Sequence, residues 1–310
     1  MFGRAWTGRD LSPAANLVGI AMKPCAFDYV RAETVEHACA LLAEHGDDAR
    51  LLAGGQSLIP MMNLRLARPA MLIDVGRLPL DEISIAAGNV RIGALTRHHH
   101  LIENASLREK APIFAETARY IAHPTIRRHG TAGGSVAHAD PTAEIPGLLM
   151  LLDGQAEVVS GGGTRKIPAR ELFRGAFSTT LRPDEMITAL HFQIPDGSWG
   201  ANFIELAERE GDFAIAAVGA VVECSGARVT AARIMLLGAE SVPVRAESTE
   251  IGLVGAPITD AIAAKVGADI AAAQRCYGDI RASADYRRHL LSEFTRRALL
   301  SAYARAGAQA

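Results

Sequence analysis

Cysteine is scarce in this sequence, and the scarcity excludes a good deal. Four cysteines, Cys25, Cys39, Cys224 and Cys276, are spread over 310 residues with no CxxC pair among them. That pattern excludes a disulfide framework and leaves no ligand set for an iron–sulfur or zinc site. It points to a reducing compartment, the cytoplasm. Long apolar runs are missing too. Leu148 to Leu152 is among the longest, far short of the roughly 20 residues that a membrane span needs. Neither sign of charge dominates, since the net charge is −2, so no strong field favours nucleic acid or an anionic membrane. The chain also lacks a paired general acid and base, a nucleophile elbow, a metal-ligand spacing and a Walker loop. What is present is apolar bulk: 49% hydrophobic residues, enough for a large core and two or three domains.

The stretch from Ala49 to Asp74 organises the rest. A short apolar run, Ala49 to Ala53, reads as a buried strand. Gly54, Gly55, Gln56 and Ser57 follow, and then Leu58, Ile59, Met61, Met62, Leu64 and Leu66 crowd together as in a short helix. A second strand-like run begins at Met71. A strand that breaks at paired glycines and re-enters as a helix gathers backbone N–H groups at one point. Glycine lets the backbone approach a ligand without a Cβ in the way, and a phosphate suits such a spot. The idea recurs at Thr131-Ala132-Gly133-Gly134-Ser135, where a helix follows with Asp140 and Pro141 as its N-cap and first position. Two such loops could clamp a pyrophosphate from both sides.

Elsewhere, Thr34 reads as the N-cap of a helix that Gly46 ends. Glu82 to Ile92 alternates around Gly88-Asn89 as a hairpin. His98, His99 and His100 lead a helix and read as solvated residues, since three adjacent side chains cannot converge on one metal. Arg127 and Arg128 read as an exposed basic pair, with compensation of a phosphate charge or a partner surface as the alternatives, and His129 and His138 read as structural. Gly161-Gly162-Gly163 is a hairpin turn. Pro195 to Ser198 reads as a linker. Beyond it come strands at Ala201 to Ala207, Ala214 to Cys224 and Val229 to Leu237. Helices follow at Ile262 to Val266 and Asp269 to Cys276, and a long one starts near Ser283. That last helix carries Leu290, Leu291, Phe294, Ala298 and Ala302 on one face, with Arg287, Arg288, Arg296 and Arg297 on the remainder.

AGGQSL at Ala53 to Leu58 and TAGGSVAHADP at Thr131 to Pro141 resemble the paired FAD-binding motifs of one family. It is the FAD-binding medium subunit of molybdenum hydroxylases, of the carbon monoxide dehydrogenase and xanthine dehydrogenase type. IGALTRHHHLI at Ile92 to Ile102, FSTTLRPDEMI at Phe177 to Ile187 and REGDFAIAAVGA at Arg209 to Ala220 extend the resemblance, in the family's order. It runs from about Met22 to the C-terminus. Met22 would then be the authentic start and residues 1–21 an upstream extension or an expression remnant, poorly ordered or loosely packed.

The resemblance implies an α+β chain. A two-subdomain FAD-binding domain of the PCMH type would cover residues 22–197, split at about 78. A C-terminal domain, 198–310, would pack a three-stranded antiparallel sheet against helices. Ala53, Gly54, Gly55, Gln56, Ser57 and Leu58, with Thr131, Ala132, Gly133, Gly134 and Ser135, would hold the pyrophosphate of FAD through backbone N–H groups and hydroxyls. Thr96 would add a contact at the end of a strand. Asp140 would bond ribose or ribityl hydroxyls, in competition with a plain N-cap role. Leu181 would lie near the flavin or be an ordinary core leucine. Phe213 would limit access to the isoalloxazine ring or be a core phenylalanine. No residue is expected to be catalytic. Two departures stand out: Ala132 replaces a common isoleucine, and Glu205 replaces a lysine that some relatives place near the flavin. The implied partners are a small iron–sulfur subunit and a large molybdopterin subunit, in a heterotrimer that is single or dimerised, and an external electron acceptor. A self-contained flavin oxidase or reductase and a non-enzymatic nucleotide-binding scaffold are the alternatives.

Overall fold

The computed structural model describes residues 23–307, so the expectation for residues 1–21 lies outside the described residues. The chain starts with β1 (Asp28–Arg31), α1 (Val35–His45), β2 (Ala49–Leu52), α2 (Leu58–Asn63) and β3 (Met71–Asp74). Thr34 accepts from His37 N at 3.1 Å as the N-cap of α1, and Gly46 closes that helix. The three strands form a parallel sheet in the order β1-β3-β2. The hairpin β4 (Ile83–Ala86) and β5 (Asn89–Gly93) follows, then helices α3 (His98–Glu103), α4 (Ala105–Lys110), α5 (Ile113–Ala118), α6 (Pro124–Arg127), α7 (Ala132–His138) and α8 (Glu144–Leu151). After them come β6 (Gln155–Ser160), β7 (Gly163–Pro168), α9 (Ala169–Leu172), a small ribbon of β8 (Phe173–Gly175) and β9 (Ser178–Thr179), and β10 (Met186–Gln193). Strands β4-β5-β10-β6-β7 make a five-stranded antiparallel sheet.

The last third holds β11 (Trp199–Ala207), β12 (Ala214–Ser225), β13 (Arg228–Leu237), β14 (Val244–Arg245), α10 (Glu247–Ile251), α11 (Asp260–Ala273) and α12 (Ala284–Gly307). The three expected long strands are there, and the two-residue β14 joins their edge. Strand β12 reads as an almost unbroken apolar run because both its faces are covered. Ala217 and Val221 join the core shared with the five-stranded sheet and α8, while Ala216, Val218, Ala220 and Val222 pack toward α11 and α12. Every residue of α8 is buried between the two layers. This sandwiching brings the two halves of the chain onto one continuous core. No helix among the described residues is long and apolar enough to cross a membrane.

Two sequence expectations are corrected here. Residues 260–273 form one helix, although two were expected around Gly267. That glycine lies where the helix meets α12, and a Cβ would collide with the Ser292 carbonyl. Glycine serves close packing at this point, not helix termination. Arg287 was expected among the polar residues of α12 but is fully buried. Its guanidinium donates to the Ile215 and Gly238 carbonyls and, at 2.7 Å, to Asp279 Oδ2.

A buried guanidinium with three acceptors is costly to remove, since the acceptors are left unsatisfied. Arg287→Met is expected to lower the unfolding free energy by about 2–4 kcal/mol, read from urea denaturation. A loss below about 0.5 kcal/mol, the range of ordinary surface substitutions, would contradict this account of the 279–287 segment.

Candidate functional site

Strand β2 ends at Leu52 and the chain turns through Gly54 and Gly55, the latter at φ +71°, a conformation that favours glycine. Ser57 is the N-cap residue of α2, yet its side chain makes no capping bond. Gln56 Nε2 donates to the Gly54 carbonyl at 3.1 Å and pins the turn. Among the described residues, the N–H groups of Gly54, Gly55, Gln56, Ser57 and Leu58 find no protein acceptor. Residues 51–59 are all half-buried. Five consecutive free donors on a half-open loop make an anion cradle.

The second glycine motif is built differently from the expectation. Gly133 and Gly134 lie inside the first turns of α7, whose N-cap is Thr131. Four of its five donors are spent: Ala132 N on Thr96 O at 2.9 Å, Gly133 N on Ala94 O at 2.8 Å, Gly134 N on Thr131 Oγ1 at 3.2 Å and Ser135 N on Thr131 O at 3.0 Å. The motif ties α7 to the end of β5, so backbone N–H groups are not what it offers a ligand. Gly134 and Ser135 are the half-buried members of Thr131 to Ser135. Thr96 is fully enclosed, with its hydroxyl on the Asp81 carbonyl at 3.2 Å.

The two segments meet. A Cβ on Gly54 would collide with the His129 carbonyl and lie 3.1 Å from Gly130 Cα. The Arg97 guanidinium also donates to the His129 carbonyl, which puts a cation at the junction. Arg97 was not singled out, although it lies directly after Thr96 in the IGALTRHHHLI segment.

The chain also encloses a cavity of about 460 Å³. Asp140, Thr142 and Phe177 line it from the part of the chain before β11, and Phe213, Tyr277 and Arg281 from the part after it. Asp140 is not the N-cap of α8, which is Ala143. Its Oδ1 accepts from Thr142 N at 2.8 Å and Thr142 Oγ1 at 2.7 Å, a local turn that delays the helix to Glu144. Phe213 is 62% exposed, so it is not a core phenylalanine. Phe177 stands at φ +57° and donates its N–H to Ala139 O, itself at φ +54°, at 2.8 Å. Two non-glycine residues in the left-handed region at one cavity wall are strain of the kind that clusters at ligand sites. Leu181 packs against the margin of the central core, apart from the residues lining this cavity. Tyr277 and Arg281 flank a lone Gly278 with no paired-glycine motif, and were missed for that reason.

Three ionisable side chains sit deeper than their polarity suggests. His98 is buried, and burial pushes its pKa down to about 4. Arg127 is half-buried, not an exposed charge: its guanidinium takes the carbonyls of Ile121 at 2.8 Å and Ala122 at 2.6 Å. Glu205 on β11 has a carboxyl oxygen sealed from solvent without a partner. Burial first, and the nearby Glu144 carboxyl second, raise its pKa to about 9, while burial raises Glu144 as well.

Residues 25–196 match the family model described as FAD binding domain in molybdopterin dehydrogenase, and residues 201–302 match that of the CO dehydrogenase flavoprotein C-terminal domain. The chain is 40% identical to the 6-hydroxypseudooxynicotine dehydrogenase complex subunit alpha of Paenarthrobacter nicotinovorans, over 92% of this chain and 97% of that one. It is 37% identical to the carbon monoxide dehydrogenase medium chain of Afipia carboxidovorans, over 92% and 99%. Among solved structures it is similar to the carbon monoxide dehydrogenase of Hydrogenophaga pseudoflava, at TM-score 0.88 and 35% identity over 91% of this chain and 99% of that one. Quinoline 2-oxidoreductase from Pseudomonas putida 86 gives a TM-score of 0.87 at 33% identity, over 92% and 99%.

The Glu144–Glu205 pair gives a pH dependence with a definite sign. The folded chain keeps protons there that the unfolded chain releases above about pH 4.5, the ordinary glutamate value. Stability from the pair is therefore full below that pH and is lost as pH rises toward about 9. Glu205→Gln is expected to raise the thermal midpoint near pH 9 by roughly 3 °C, as about 1 kcal/mol does in a large domain, with little change near pH 5. Equal midpoints for variant and wild type at both pH values would contradict the assignment.

Proposed function

Because the chain belongs to the family of FAD-binding medium subunits of molybdenum hydroxylases, we propose that it is the flavin-carrying electron-transfer subunit of such a complex. It would stand between the iron–sulfur clusters of a small subunit and an external acceptor, with substrate oxidised at molybdopterin on a large subunit. Bound FAD supplies the redox chemistry, and the protein binds, orients and shields it. The observation that carries the reading is the run of free N–H groups from Gly54 to Leu58, which fits the anionic pyrophosphate.

Each residue then has a task. Ala53 to Leu58 cradle the pyrophosphate through the open donors and the Ser57 hydroxyl. Thr131 to Ser135, with Thr96 behind them, form the opposing wall, and Ser135 presents its hydroxyl. Ala132 packs that wall into the core. Arg97 adds positive charge at the junction. Asp140, held by Thr142, meets the ribityl or ribose hydroxyls, and Phe213 covers the ring in the cavity, with Leu181 on the core side.

Substrate choice falls to another chain. This chain resembles, over nine-tenths of its length, proteins named for carbon monoxide and for 6-hydroxypseudooxynicotine. Such unlike compounds share no recognition chemistry that one common fold with a flavin cradle would supply.

The purified chain is expected to be yellow and to release FAD on heating. Gly55→Trp is expected to weaken FAD retention by at least about tenfold, or roughly 1.4 kcal/mol, because the indole fills the cradle. Purification from the native host is expected to bring down two further subunits. A folded, colourless chain that takes up no added FAD would favour the scaffold alternative.

A further inference from the structure

Phe213 is the most exposed aromatic on the cavity wall, so core packing does not fix its ring. What fixes it is its backbone. The turn leading to it, with Asp212 N on Arg209 O at 3.1 Å, ends at Phe213, one residue before β12 begins. The Phe213 carbonyl accepts from Arg281 Nη1 at 3.0 Å, across 68 residues of sequence. Arg281 itself is held in place. Asp279 Oδ1 accepts the N–H groups of Arg281 at 2.9 Å and Ala282 at 3.0 Å. Asp279 Oδ2 receives the buried Arg287 at 2.7 Å.

Arg287 in turn donates to the carbonyl of Ile215, two residues after Phe213, and lies over the Tyr277 ring at 4.6 Å from its centroid. The segment from 277 to 287 and the start of β12 are thus one fixed body. Arg281 is the arm of that body that reaches Phe213. Arg287 secures the base of the strand, and the Arg281 bond secures the tip that carries the ring.

We propose that Arg281 is a positioning residue for Phe213: its bond to the Phe213 carbonyl holds the ring over the cavity and limits how far solutes and an electron acceptor reach the flavin there. The inference rests on the functional reading above. Loss of one hydrogen bond from a charged donor shifts the orientation of the turn several-fold toward open positions.

The test uses the full chain loaded with FAD and acrylamide quenching of flavin fluorescence; a neutral quencher is insensitive to the lost charge. Arg281→Met is expected to keep wild-type FAD content and to raise the quenching constant roughly two- to fivefold. Arg281→Lys, which keeps a donor, is expected to lie close to wild type. Phe213→Ala is expected to match Arg281→Met, and the double variant to exceed neither. Wild-type quenching in a flavin-loaded Arg281→Met, or additive increases in the double variant, would overturn the proposal. So would loss of FAD in both Arg281 variants, which would make Arg281 a binding residue. Absence of FAD from the wild-type chain would instead overturn the functional reading, and the proposal with it.

Discussion

The backbone of Gly54 rests against the carbonyl of His129, with no room for a Cβ between them, and much of the site depends on that contact. It joins the loop after β2 of the parallel sheet to the stretch between α6 and α7, some 75 residues later. Because the contact is backbone to backbone, no side-chain rotation relieves it, and it limits how the two segments approach. The donors of Gly54 to Leu58 stay free because the loop is held from outside and does not fold onto its own acceptors. The second segment can act as a wall because four of its five N–H groups are already committed to the end of β5 and to its own cap. One motif is an open cradle and the other a closed brace.

A division of labour appears at the cavity as well. Asp140 and Thr142, between α7 and α8, contribute polar recognition, while the last third contributes aromatic cover, with Phe213 and Tyr277 carried on segments tied down by Arg281 and Arg287. Between these regions the continuous core through α8 and β12 keeps the two halves in fixed relation. The buried Glu144 and Glu205 carboxyls lie in that seam, one on each half. Their raised proton affinity is the cost of placing two acids where burial removes their solvent.

Much of this was legible in the sequence because it rests on local patterns. The strand-glycine-helix unit at Ala49 to Asp74, the Thr34 cap, the triple-glycine turn and the three long strands after residue 198 each follow from a periodicity or a turn signal within a dozen residues. The paired motifs were legible as glycine loops, but their difference was not. Whether an N–H is free depends on Thr96 O and Ala94 O, which are 35 to 40 positions away. Asp140 looked like a helix cap because an Asp-Pro pair often is one; the turn with Thr142 outcompetes it. His98 and Arg287 looked solvated because their side chains are polar, and only tertiary packing shows that they are enclosed. Gly267 looked like a break because the helix that presses on it begins 17 residues further on.

The most direct test of the account is isothermal titration of FAD into flavin-depleted chain, comparing wild type with Gly54→Ala and with Gly161→Ala, a glycine that has open space around it. The account expects Gly54→Ala to weaken binding by about 100-fold, near 2.7 kcal/mol, because one methyl group forces the two segments apart. Gly161→Ala is expected to bind as wild type does. Wild-type affinity in a folded Gly54→Ala would contradict the claim that the close contact between the two segments creates the site.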